Sequence, residues 1–150
     1  MATISVTAFK NKYSGLPVDY DNYPLNNPFQ CYDIFAKAWK QVYGISAGVP
    51  VLPTGGARDL YERFYALNLD RYFNRLQNLP GRKPKRGDTV IWKGTSANPY
   101  GHVDLYLRWN FPGKFKGFDQ NWPVGSKAHV QLHTKSGVYG WLRPKTPVKP

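Results

Sequence analysis

The chain is poor in cysteine and poor in acid. Cys31 is the single cysteine in 150 residues, so no disulfide can close within the chain and the fold cannot depend on oxidation. Nine aspartates and glutamates stand against 21 lysines and arginines, a formal charge of +12. That imbalance attracts polyanions and points to an anionic partner: nucleic acid, an acidic membrane or a phosphate-bearing wall polymer. No stretch approaches the roughly 18 apolar residues a membrane span needs. The first ten residues also lack the long apolar region of an export signal. No internal repeat of useful length is present.

What is there suffices for a packed interior: 41% of residues are hydrophobic and 16% aromatic. A single domain of this length buries on the order of 70% of its unfolded surface, and a second independent domain has no room. Residues 1–30 are rich in turn formers, including Gly15, Pro17, Pro24 and Pro28, and read as a short first helix or arm followed by an ordered loop. From Cys31 the pattern is helical to about residue 43, with Phe35, Ala38, Trp39, Val42 and Tyr43 at spacings of three and four and Gly44 as a stop. A second helix is expected over Ala57–Leu69, where Leu60, Phe64 and Leu67 share a face.

After the basic turn 80–88 the period becomes two. Strands are expected at Thr89–Trp92, Val103–Trp109, Phe115–Trp122, Ala128–His133 and Val138–Leu142, with Val103, Leu105, Leu107 and Trp109 on one face. Helices first and an antiparallel sheet of about five to six strands after them make an α+β fold. The domain is expected over 1–143. The Pro/Lys-rich tail 144–150 has no apolar period and reads as the start of a linker.

Three segments carry chemistry. Cys31 lies in the first turn of its helix, where unpaired amides and the positive dipole end favour a thiolate. His102 opens the strand with the clearest alternation and can present its ring from the sheet's end. Papain-like enzymes hold a thiolate–imidazole ion pair with this helix-and-strand arrangement. Asp119 and Asn121, two apart and so expected on one strand face, offer two candidate acceptors that would fix the tautomer of the ring, with Gln120 pointing the other way.

The ordered segments Phe29-Gln30-Cys31-Tyr32-Asp33, Gly87 to Trp92, Gly101-His102-Val103 and Asp119-Gln120-Asn121-Trp122 resemble the CHAP family, the cysteine, histidine-dependent amidohydrolases/peptidases, over roughly residues 17–143. The similarity is to the lytic domain of a bacteriophage endolysin. It implies a papain-like fold and hydrolysis of a peptidoglycan amide bond, either between muramic acid and L-alanine or within the stem or cross-bridge peptide. By the same resemblance Cys31 is the nucleophile, His102 the base, Asp119 with Asn121 the orienting pair, and Gln30 the oxyanion-hole side chain. The family more often has Glu where Asp119 stands, which leaves open which of Asp119 and Asn121 meets the ring.

Some CHAP endolysins bind calcium through an Asp-x-Asp-x-Tyr loop and the Asp two past the cysteine. Here those positions are Asp19, Asp21, Tyr23 and Asp33, hard oxygen ligands of the kind calcium prefers. The longer run Pro24-Leu25-Asn26-Asn27-Pro28 supplies no histidine where a further ligand is expected, and an Asx-rich turn explains the same residues.

The expected partner is thus cell-wall peptidoglycan, with anionic wall polymers drawn to the basic surface, and not nucleic acid or a membrane interior. A monomer is expected, made in the host cytoplasm without its own signal peptide and acting at the wall. The alternatives are a non-catalytic basic module that binds wall or nucleic acid, and papain-like acyl transfer to an amine. His129 and His133, on one strand face without a third ligand, read as surface residues.

Overall fold

The computed structural model describes residues 2–20 and 30–150. Six strands form one antiparallel sheet: β1 (Phe73–Gln77), β2 (Thr89–Trp92), β3 (His102–Asn110), β4 (Lys114–Asp119), β5 (His129–Thr134) and β6 (Val138–Pro144). Their order is β1-β6-β2-β3-β4-β5, so the chain is α+β as the sequence indicates. The helices are α1 (Val6–Tyr13), α2 (Cys31–Gln41) and a single turn, α3 (Asp59–Glu62).

Helix α2 forms because its apolar residues recur on one face. Ile34, Phe35, Ala38 and Trp39 are all buried, and two clusters form beneath it. Phe35 and Trp39 pack with Leu60, Phe73, Ile91, Val103 and Leu142, while Ile34 and Ala38 join Val6, Phe9, Leu105 and Phe118. The opposite sheet face carries its own cluster of Val90, Trp92, Tyr106, Phe115, Val138 and Trp141. Trp141 is fully buried there.

Three departures from the sequence pattern have physical causes. The helix expected over Ala57–Leu69 closes after one turn, because Arg63 leaves helical geometry and Asn68 takes the left-handed region at φ 56. Strand β1 was not legible because only Phe73 of its five residues is buried. Trp109 packs against the cluster of Tyr106 and Phe115 rather than with Leu107, since a bulge between Tyr106 and Arg108 resets the alternation.

The tail expected to begin an extended linker lies against α1 instead. Val148 packs beside Val6 and Phe9, and the amides of Val6 and Thr7 donate to the carbonyls of Lys149 and Pro150. No helix among the described residues is long and apolar enough to cross a membrane.

Candidate active site

Cys31 opens α2, half-buried, with Gln30 before it in extended geometry. Asp33 fastens this helix start, its Oδ2 accepting from the Gln30 amide at 2.7 Å and its Oδ1 from the Tyr20 amide at 3.2 Å. His102 opens β3 opposite Trp92 of β2. The preceding residue must be glycine: Gly101 has φ +74, and a Cβ there would meet the Trp92 carbonyl at 2.5 Å.

The His102 ring is buried, yet its pKa is raised to about 10. Burial opposes the charged ring most strongly, but the negative charge of Cys31, the hydrogen bonds to Asp119 and Cys31 and the charge of Asp119 together outweigh it. His102 Nε2 donates to Asp119 Oδ2 at 2.8 Å, so the nitrogen left for Cys31 is Nδ1. Asp119 is itself fully buried. Burial would raise its pKa, but hydrogen bonds from His102 and His133 hold it below the usual carboxylate range.

Asp119 and Asn121 do not share a strand face, as the period of two had implied. β4 ends at Asp119, and Asn121 turns into the left-handed region at φ 64. There its Oδ1 accepts from the Gly125 amide at 2.8 Å, closing a turn. Asp119 is therefore the residue that meets the ring, and Asn121 lines the cleft beside it.

Gln120 does point the other way, and its role was not foreseen. Its Oε1 accepts from the Val18 amide at 3.0 Å, and its Nε2 donates to the carbonyls of Val18 at 2.6 Å and Gln30 at 2.7 Å. This fully buried amide joins the Asp119 strand to the residue before Cys31.

His133, read from sequence as a surface residue, is buried, and its Nε2 donates to the same Asp119 oxygen at 2.7 Å. The reading failed because His133's partner lies on the neighbouring strand. His129 does lie outside this cluster, its Nδ1 donating to the Lys127 carbonyl at 2.7 Å. Asp104, two residues past His102, faces the same side from beneath. Neither of its oxygens has a hydrogen-bond partner among the described residues, and Gly117 makes room for it: a Cβ there would lie 1.7 Å from Oδ2.

His102, Asp119 and His133 could in principle ligate an ion, their donor atoms lying within 4.8 Å of one another. Direct contacts of 2.7 and 2.8 Å through one oxygen are hydrogen-bond distances, however, and protons bridge these groups. The arrangement suits an imidazole held in one tautomer rather than a metal centre.

A cleft of about 440 Å³ opens over the pair, lined by Gln30, Cys31, Thr54, Tyr100, His102 and Asn121. A second hollow of about 530 Å³ lies beyond His102 between Lys93, Trp122 and Val124. Trp122 packs across the His102 ring, the two ring centroids 4.6 Å apart and the planes at 89°. Of the calcium candidates, Asp19 and Asp33 are described, while Asp21 and Tyr23 lie outside the described residues.

No family model matches the chain, and no curated protein matches it. Solved structures do. The crystal structure of the wild-type endolysin LysIME-EF1 aligns at a TM-score of 0.63 and 24% identity, covering 96% of this chain and 65% of that one. Ly7917 aligns at 0.66 and 16%, covering 96% and 62%. Ly7917 with the hydrolyzing product of MDP aligns at 18% identity, covering 94% and 63%. This chain thus has the α+β fold of LysIME-EF1 and Ly7917, over somewhat less than two thirds of their length.

Proposed function

We propose that this chain is a peptidoglycan hydrolase of the CHAP type, the lytic part of an endolysin. The observation that carries the reading is the meeting of a helix-start thiol with a buried, Asp119-bonded imidazole at one open cleft. The fold it shares with an endolysin, and with a structure holding the hydrolyzing product of MDP, supports a wall substrate.

In this reading the Cys31 sulfur attacks the amide carbonyl carbon as a thiolate, with its proton resting on His102. The resulting oxyanion is met by the Gln30 side chain and by a backbone amide at the start of α2. His102 then protonates the departing amine, leaving a thioester on Cys31. A water, deprotonated by His102, attacks the thioester, and the carboxylic acid leaves as the thiol reforms. The bond cut is the muramoyl–L-alanine amide or one in the stem or cross-bridge peptide. Anionic wall polymers would gather at the +12 surface and raise the encounter rate.

Purified Gram-positive walls should clear with the wild type and stay turbid with Cys31→Ala, and mass spectrometry of the fragments identifies the bond. Equal clearing by both proteins refutes the proposal. Salt-sensitive wall binding without released amines would favour the non-catalytic binder instead.

Calcium belongs to the same proposal. Asp33 Oδ1 lies against the Tyr20 amide, so a carboxylate of α2 borders the segment carrying Asp19, and the donors are hard oxygens. Asp19, Asp21, the Tyr23 carbonyl and Asp33 would hold the ion, which when bound would tie this segment to the helix start. Chelator should then lower the melting temperature of Cys31→Ala by about 5–10 °C, and calcium at about a hundredfold over its Kd should restore it. A melting temperature indifferent to both ends the calcium assignment.

A further inference from the structure

Strand β5 is inverted. On this edge strand Val130 is 40% and Leu132 45% exposed, while His133 is only 7% exposed. An imidazole has been turned inward where an apolar side chain would pack at lower cost. Its ring sits among Trp92 at 4.9 Å, Trp122 at 4.9 Å and Phe115 at 5.7 Å. Those same two tryptophans flank His102.

The polar end of His133 reaches Asp119 Oδ2, which His102 also uses, so both lone pairs of that oxygen are taken. With its amide nitrogen turned toward two acceptors, Gln131 donates to Asp119 Oδ1 at 3.0 Å and to the Trp122 carbonyl at 2.8 Å. β5 thereby grips the carboxylate from two positions. Titratable groups face this site from each packed element: Cys31 of α2, His102, Asp104 and Tyr106 of β3, and Asp119 of β4. β2 presents Trp92. Asp104 Oδ2 lies 3.9 Å from His133 Nε2.

We propose that His133 is a positioning residue for His102, acting through Asp119: sharing one carboxylate oxygen, it fixes that carboxylate against the His102 ring and limits how firmly the ring holds its proton. The inference rests on the Cys31–His102 reading of the site. Physically, a carboxylate that bonds two donors offers less of its charge to each. A general acid that must release its proton to a leaving amine works best when that proton is not held too tightly.

The chain has three histidines, so ring nitrogen–proton spectra resolve each one. In the wild type His133 should carry its proton on Nε2 with a hydrogen-bonded shift. A bare Nε2 at neutral pH overturns the proposal with no variant needed. His133→Phe keeps the ring packing and removes the donor, and it should raise the pH at which His102 releases its proton by about half a unit or more. His133→Gln, whose amide can donate again, should return the midpoint toward the wild type. A midpoint unchanged or lowered in His133→Phe refutes the role. Because the rings are titrated without substrate, a wild type that fails to clear walls refutes the proposed function and leaves this result standing.

Discussion

Asp119→Asn should slow wall clearing by about a thousandfold or more while the protein still binds walls. The carboxylate accepts from His102, His133 and Gln131 at once, using both oxygens. An amide of the same shape has one accepting atom and one donating atom, so one of these bonds becomes a clash of donors. If the amide nitrogen faces the histidines, His102 must take the wrong tautomer, a change that costs about 10⁴ in kcat in a comparable Asp-His pair. The loss should fall on kcat and not on KM, since Asp119 is fully buried and does not line the cleft. The alkaline limb of activity should also move down, because Asp119 is one of the groups keeping the His102 pKa near 10. A variant clearing walls at the wild-type rate, with an unmoved limb, would show that another group orients His102.

The second large effect is one of stability. Asp104 is buried, lacks a hydrogen-bond partner for either oxygen among the described residues, and has its pKa pushed up first by burial and then by the charge of Asp119. An acid whose folded pKa lies above its unfolded value of about 3.8 keeps its proton in the fold and gives it up on unfolding. Stability is therefore lost as pH rises from that unfolded value through the folded one, and the cost persists above it. Asp104→Asn is neutral throughout and fills the same space, so it should raise the melting temperature at pH 8 by several degrees and change little near pH 3. An equal shift at both pH values would sink the explanation. His102 has the opposite slope: its pKa is raised, so the stability its charged ring adds is complete below about 6.5 and is lost as pH climbs through about 10.

The placement of Cys31 and His102 was legible because each sits on a strong local period. Phe35, Ala38 and Trp39 place Cys31 at a helix start, and Val103, Leu105 and Leu107 place His102 at a strand start. Asp119 could not be chosen over Asn121, since the choice depends on where β4 ends and on the left-handed turn at Asn121. His133 was invisible to any local pattern that puts apolar residues inward. The signal was present in the inverse form, with Gln131 and His133 on one face of β5 and Val130 and Leu132 on the other, and it becomes readable only once the opposite strand is known to carry Asp119. Gln120 and Asp104 likewise gain meaning only from long-range pairing.

The amide of Gln120 has one more implication. It clasps Val18 on one side and Gln30 on the other, so both ends of the segment between them are moored to a single post just past the end of β4. Cys31 is thereby braced from the end of β4 as well as by the bond between Asp33 and the Tyr20 amide. Substitutions within that segment should therefore shift Cys31 relative to His102 less than the loss of the Gln120 amide would.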